Sequence, residues 1–79
     1  MSIPDQVDQE VDATGLTCPL PILRAKKALA QMQSGQILKV IATDGGSATD
    51  FPVFAKQTGN ELIAQDKTGE AFVFYLKRR

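Results

Sequence analysis

The sequence has no histidine and a single cysteine, Cys18, and these two scarcities exclude several kinds of chemistry at once. Without histidine the chain cannot assemble a Cys-His pair or a Ser-His-Asp triad. With one cysteine it has no CxxC pair, no intramolecular disulfide and no usual zinc site, so neither a metal nor a cofactor is expected. Self-contained hydrolytic or dithiol redox catalysis is thereby set aside. Secreted domains of this size rely on disulfides, and a chain that cannot form one points to a reducing, cytoplasmic compartment. Long hydrophobic runs are absent too, and Met1-Ser2-Ile3-Pro4-Asp5-Gln6 lacks the basic start and apolar stretch of a signal, so no membrane association is expected. Nine Lys plus Arg balance nine Asp plus Glu, leaving no net field to gather nucleic acid or anionic lipid, and no stable nucleic-acid binding is expected. The one basic cluster, Lys77-Arg78-Arg79, reads as a solvated, solubilising end, with docking to an acidic partner or RNA as the alternative.

What is present is enough for one core. Seventy-nine residues, 43% of them hydrophobic, support a single domain over 1–79, with 1–6 as a flexible leader. Apolar and polar residues alternate over 7–12, the signature of a short strand. A helix follows to about Gln33, because Ile22, Ala25, Leu29 and Met32 recur at three- and four-residue spacing, which turns Arg24, Lys27 and Gln31 to water. Residues 37–43 are rich in β-branched side chains and read as a strand with Leu38, Val40 and Ala42 inward. Pro52 is incompatible with a helix interior, so the second helix is expected to start with Asp50 as its N-cap, Phe51, Phe54, Ala55 and Thr58 sharing a face, and Gly59 as its left-handed stop. Strands over 61–66 and 71–77 then flank a hairpin turn at Lys67-Thr68-Gly69-Glu70, with Phe72, Phe74 and Leu76 inward. Two helices cover only one face of four strands, so the order βαβαββ predicts an α/β (α+β) two-layer sandwich on a four-stranded mixed sheet. The second sheet face is expected to carry Ile37, Ile41, Ile63, Val73 and Tyr75 beside Lys39 and Gln65, as scattered surface apolars or as a contact patch.

Between the first strand and the first helix lies Gly15-Leu16-Thr17-Cys18-Pro19-Leu20-Pro21. Proline is favoured in a first helical turn, where its missing N–H breaks no bond, so Cys18 reads as the N-cap and Pro21 as the third helical residue. Open backbone N–H groups and the positive end of the helix dipole favour an anion there, and thiols in such positions are more acidic and more nucleophilic than a free cysteine. Ser, Thr, Asp or Asn caps better than Cys, so this position sacrifices local stability for sulfur. A small buried hydrophobe is the alternative reading of a lone cysteine. An exposed, activated thiol without a base or a second thiol has one use: it accepts a group, holds it and passes it on.

This segment closely resembles the Gly-x-x-Cys-Pro-x-Pro signature of the TusA/SirA-like sulfur-carrier family. The resemblance extends through Val11-Asp12-Ala13, Met32-Gln33-Ser34-Gly35, Thr49-Asp50-Phe51-Pro52 and Asn60-Glu61-Leu62, covering residues 9–77. It implies the same βαβαββ two-layer fold and a Cys18 that carries sulfane sulfur as a persulfide, with Gly15, Pro19 and Pro21 supporting its loop. Asp12 and Asp50 match acidic positions near the motif, where a chemical role and a capping or turn role are both open. Leu20, Leu23, Arg24, Lys26 and Lys27 are candidates for partner contact. Donors implied by the resemblance are cysteine desulfurases and rhodaneses. Acceptors include DsrE-like relay proteins, leading to tRNA thiolation, molybdenum cofactor maturation or sulfur oxidation. Relatives in tRNA thiolation carry arginine at the position of Thr17 or glutamate at that of Leu20, and this chain has neither. A thiol redox or regulatory module, and an interaction domain with Cys18 idle, are the rival readings.

Overall fold

The computed structural model describes residues 6–17 and 19–79. Cys18 and, apart from Gln6, the expected leader lie outside the described residues. The elements follow the order β1 (Gln9–Ala13), α1 (Leu20–Ala30), β2 (Ile37–Ala42), α2 (Ser47–Thr58), β3 (Glu61–Thr68) and β4 (Ala71–Lys77). They build one mixed sheet in the order β1-β2-β4-β3, with β1 parallel to β2 and the other two pairings antiparallel. The expected α+β sandwich is the observed one.

The parallel pair runs from Gln9 opposite Leu38 to Ala13 opposite Ala42, so the segment leaving β1 and the segment leaving β2 emerge side by side at one end of the sheet. Alternation on β2 buries Leu38, Val40 and Ala42, as its pattern requires, and β4 faces them with Phe74 and Leu76. Phe51 of α2 stacks on Phe74 at 4.5 Å between ring centroids and meets Phe54 edge-on at 6.3 Å. Ala25 and Leu29 of α1, and Met32 just beyond it, close the same core, while Ile22 packs at its margin.

Four expectations need correction. Helix α1 is shorter at both ends: its N-cap is Pro19, which places Pro21 second in the helix, and its last residue is Ala30. The C-terminal end tightens, because Gln31 and Met32 donate their N–H groups to Ala28 and Leu29, three residues back. Helix α2 begins earlier than Asp50, with Gly46 as N-cap and Pro52 inside. The Ser47 amide is satisfied by the Asp44 carbonyl and the Asp50 amide by that of Gly46, so a full turn stands before the proline. Only the bond from residue 52 to Ala48 is then forfeited. The hairpin turn contracts to Gly69-Glu70, since β3 runs on to Thr68. Finally, a bulge between Leu62 and Ala64 inserts Ile63 and shifts the alternation of β3. Gln65 therefore pairs with Phe74 on the helix-covered face, not the open one, and Ala64 is buried opposite Tyr75. Tyr75 itself is buried on the open face, beside the Lys39–Glu10 ion pair at 3.6 Å.

The basic end keeps Lys77 and Arg79 exposed, yet it is tied to the domain. Arg78 exchanges backbone hydrogen bonds with the segment after α1, the Gly35 amide donating to its carbonyl and its own amide to that of Gln36, both at 2.8 Å. Its Nε donates to the Leu29 carbonyl at 2.7 Å, closing the C-terminus of α1. The Arg79 amide donates to Asn60 Oδ1 at 3.0 Å, fixing the end against the start of β3.

Candidate functional site

The loop between β1 and α1 is short and closely bonded. Asp12 Oδ1 accepts from the Thr14 amide at 3.0 Å and from its hydroxyl at 2.7 Å, a side-chain turn that reverses the chain just beyond the strand. These two bonds, the hydroxyl's first, hold the Asp12 carboxyl below its ordinary value; the Arg24 charge acts in the same direction, against slight desolvation. Of the two roles open to Asp12, the turn role is the one these bonds describe. Gly15 takes φ +78°, in the left-handed region that glycine alone enters freely, and its amide donates to Thr43 Oγ1 at 2.9 Å. Leu16 then donates to Ala13 and Leu20 to Thr17, carrying the chain into α1.

Residues 19–21 show why two prolines sit here. Pro19 as cap and Pro21 in the first turn fix φ without losing an intrahelical bond, and the Pro21 ring is fully buried, anchoring the helix start to the domain. The cap makes no side-chain hydrogen bond, and α1 has no acidic residue in its first turn. Its charges, Arg24, Lys26 and Lys27, are all positive, while the Asp50 carboxylate shares the depression beside Pro19. Cys18 itself lies outside the described residues. The cap position assigned to it belongs to Pro19, and Cys18 stands one residue ahead of that cap in the sequence.

Two shallow depressions flank this corner. One, of about 470 Å³, is lined by Leu20, Leu23, Arg24 and Lys27, four of the five residues singled out from sequence as contact candidates, without Lys26. Leu20 and Leu23 are 45% and 52% exposed, so this surface is apolar with a basic margin. The second, of about 300 Å³, lies between the helices and brings Pro19 and Asp50 together with Ile22, Val53, Phe54 and Gln57. Val53, 48% exposed, joins Leu20 and Leu23 as the large apolar side chains left open to water among the described residues, and all three line these two depressions. Val53 went unnoticed in the sequence although it lies opposite the Phe51–Phe54–Ala55 face, because no motif marks it. Thr43 went unnoticed as well: no motif marks it, and only the β1–β2 register brings it to Gly15. Among the described residues, no group of three or more His, Cys, Asp or Glu is arranged to hold a metal ion. No helix among them is long and apolar enough to cross a membrane.

Comparison with known proteins agrees with this architecture. The profile of the family described as Sulfurtransferase TusA matches residues 9–78. The sulfur carrier protein TusA of Allochromatium vinosum is 63% identical over 71 residues, which cover 90% of this chain and 93% of that protein. The sulfur carrier protein TusA of Pseudomonas entomophila is 35% identical over 72 residues, covering 91% and 90%. Among solved structures, the crystal structure of a SirA-like protein from Desulfitobacterium hafniense superposes with a TM-score of 0.77 at 27% identity, covering 87% of this chain and 95% of the other.

Proposed function

We propose that this chain, which belongs to the TusA family, is a sulfur carrier that holds sulfane sulfur as a persulfide on Cys18. The observation that carries the reading is the match, over nearly the whole length of both chains, to a relative named as a sulfur carrier. The site supports it: a helix start stiffened by two prolines and flanked by exposed apolar side chains follows the chain's one thiol.

The Cys18 thiolate attacks the terminal sulfur of a donor persulfide. A bond forms between Sγ and that sulfur, the donor's S–S bond breaks, and the donor leaves as a thiolate. In the second half an acceptor thiolate attacks the same terminal sulfur and Cys18 departs as thiolate. No external oxidant or reductant is consumed, which suits a domain without histidine or a second cysteine. Each cycle regenerates the thiol, so the chain acts as a protein substrate between two enzymes more than as an enzyme itself.

The donor is a cysteine desulfurase or a rhodanese-type protein, and the acceptor a DsrE-like or similar relay protein. The relay feeds tRNA thiolation, cofactor maturation or sulfur metabolism in the cytoplasm. Leu20 and Leu23 supply apolar contact to these partners, and Arg24 and Lys27 meet acidic groups at the rim. Gly15, Pro19 and Pro21 hold the loop, while Asp12 and Asp50 support it. The test is transfer in both directions: incubation with a cysteine desulfurase and sulfur-labelled cysteine labels the wild type and not Cys18→Ser, and the label then passes to an acceptor thiol. A protein that takes no label but is oxidised by peroxide at Cys18 is a redox module instead.

A further inference from the structure

We propose that the open face of the sheet binds the α1 surface of a second copy of this chain, so that copies stack head to tail. The helices cover one side of the sheet, and alternate residues of the four paired strands form the other. Its centre is apolar: Ile37 and Ile41 of β2 and Val73 of β4 are half-buried there around Tyr75, which is 8% exposed. Its charges are sorted by strand. Both outer strands carry exposed carboxylates, Glu10 and Asp12 on β1 and Glu61 and Asp66 on β3. The cations stand on the inner strands and are already faced by acids, Lys39 by Glu10 at 3.6 Å and Lys77 by Glu61 across the β3–β4 ladder. The face is thus an apolar strip between two acidic edges.

This arrangement decides against one occupant and for another. A two-fold pairing of the open faces, whichever way its axis runs, sets an acidic edge on an acidic edge, and like charges juxtaposed across an interface are costly. The matching surface is on the other layer of the same molecule. Helix α1 leaves Leu20 and Leu23 exposed by 45% and 52%, and its charges, Arg24, Lys26 and Lys27, are all positive. An apolar patch with a basic margin there meets an apolar strip with acidic margins. Because the two surfaces lie on opposite layers of the sandwich, a pair of copies still offers a free surface of each kind, and association continues without closing. Where the carrier reading holds, each stacked copy covers the α1 depression assigned to sulfur partners and competes with them; the stacking itself does not rest on that reading.

The experiment is sedimentation velocity of wild type, Asp66→Lys, Lys27→Glu and an equal mixture of the two variants, in thiol reductant so that no disulfide through Cys18 contributes. Concentrations run to about 1 mM, because small contacts with charged margins are weak. The wild type is expected to gain mass continuously with concentration, without a plateau at the dimer, and to lose that gain as salt screens the margins. Each variant alone associates about tenfold more weakly, while the mixture recovers association, because one variant keeps the acidic sheet face and the other the basic helix. Glu61→Lys repeats Asp66→Lys at the same edge, and unfolding midpoints close to that of the wild type separate lost contact from lost fold. A wild type that stays monomeric throughout overturns the proposal. So does a plateau at the dimer that Asp66→Lys weakens and Lys27→Glu does not, which is a two-fold contact through the sheet face. A mixture that associates no better than its components overturns it as well.

Discussion

Arg78 Nε lies 2.7 Å from the Leu29 carbonyl, so the end of the chain closes the end of the helix whose opposite terminus carries the motif. A residue read as part of a solubilising tail is a C-cap donated from 49 residues away. Arg78→Ala removes a charge-assisted bond to a helix carbonyl and is expected to destabilise the domain by about 1–2 kcal/mol. For a domain of this size that lowers Tm by roughly 4–8 °C per kcal/mol, measured by thermal unfolding. Cys18 alkylation at a temperature where both proteins are folded remains at the wild-type rate.

Gly59 ends α2 at φ +77°, and a Cβ there meets Arg79 Cδ at 3.2 Å. Gly59→Ala therefore combines left-handed strain with displacement of the Arg79 side chain, and costs about 1–2 kcal/mol in urea unfolding. Gly45→Ala is its control, since a Cβ at Gly45 meets nothing within 4 Å and no left-handed strain is involved. It stays near the wild type.

Phe51 is fully buried between Phe54 and Phe74. Truncating it to alanine leaves a cavity at the contact that fixes α2 to β4 and costs about 3–5 kcal/mol. Against a total of about 5–15 kcal/mol for a small domain, Phe51→Ala loses most of the folded population's reserve. Chemical denaturation reads it directly.

Acid acts on the motif loop through Asp12. Its two bonds from Thr14 depress the carboxyl below 3.8, so the bonded, ionised form contributes stability above the unfolded-state value and loses it as pH falls through the folded-state value. As pH falls through that lowered value, the Thr14 amide loses protection relative to its intrinsic exchange rate at the same pH. Asp12→Asn, which cannot ionise, removes that pH dependence.

Much of this was legible in the sequence, and most of the misses share one cause. Element order, the inward residues of β2 and β4, the Phe51–Phe54–Ala55 face and the Gly59 stop follow from local periodicity and backbone preference. The Ile63 bulge and the roles of Thr43, Arg78 and Tyr75 depend on partners distant in the sequence, whereas the start of α2 is set locally, by the Asp44–Ser47 and Gly46–Asp50 bonds that make a full turn ahead of Pro52. The contact surface was half legible: Leu20, Leu23, Arg24 and Lys27 were visible as residues off the buried stripe of α1, and do line one depression. The packing of α2 on α1 is what brings Val53 beside Pro19 and Ile22.

The central claim is that Cys18 carries sulfur, and the most direct measurement is intact-mass spectrometry of wild type and Cys18→Ser after exposure to a cysteine desulfurase with cysteine, before and after thiol reductant. Reductant separates a persulfide from a sulfinic acid of nearly equal mass. The account predicts a gain of one sulfur on the wild type, reversed by reductant and absent from the variant. No gain on a thiol that alkylates freely contradicts it.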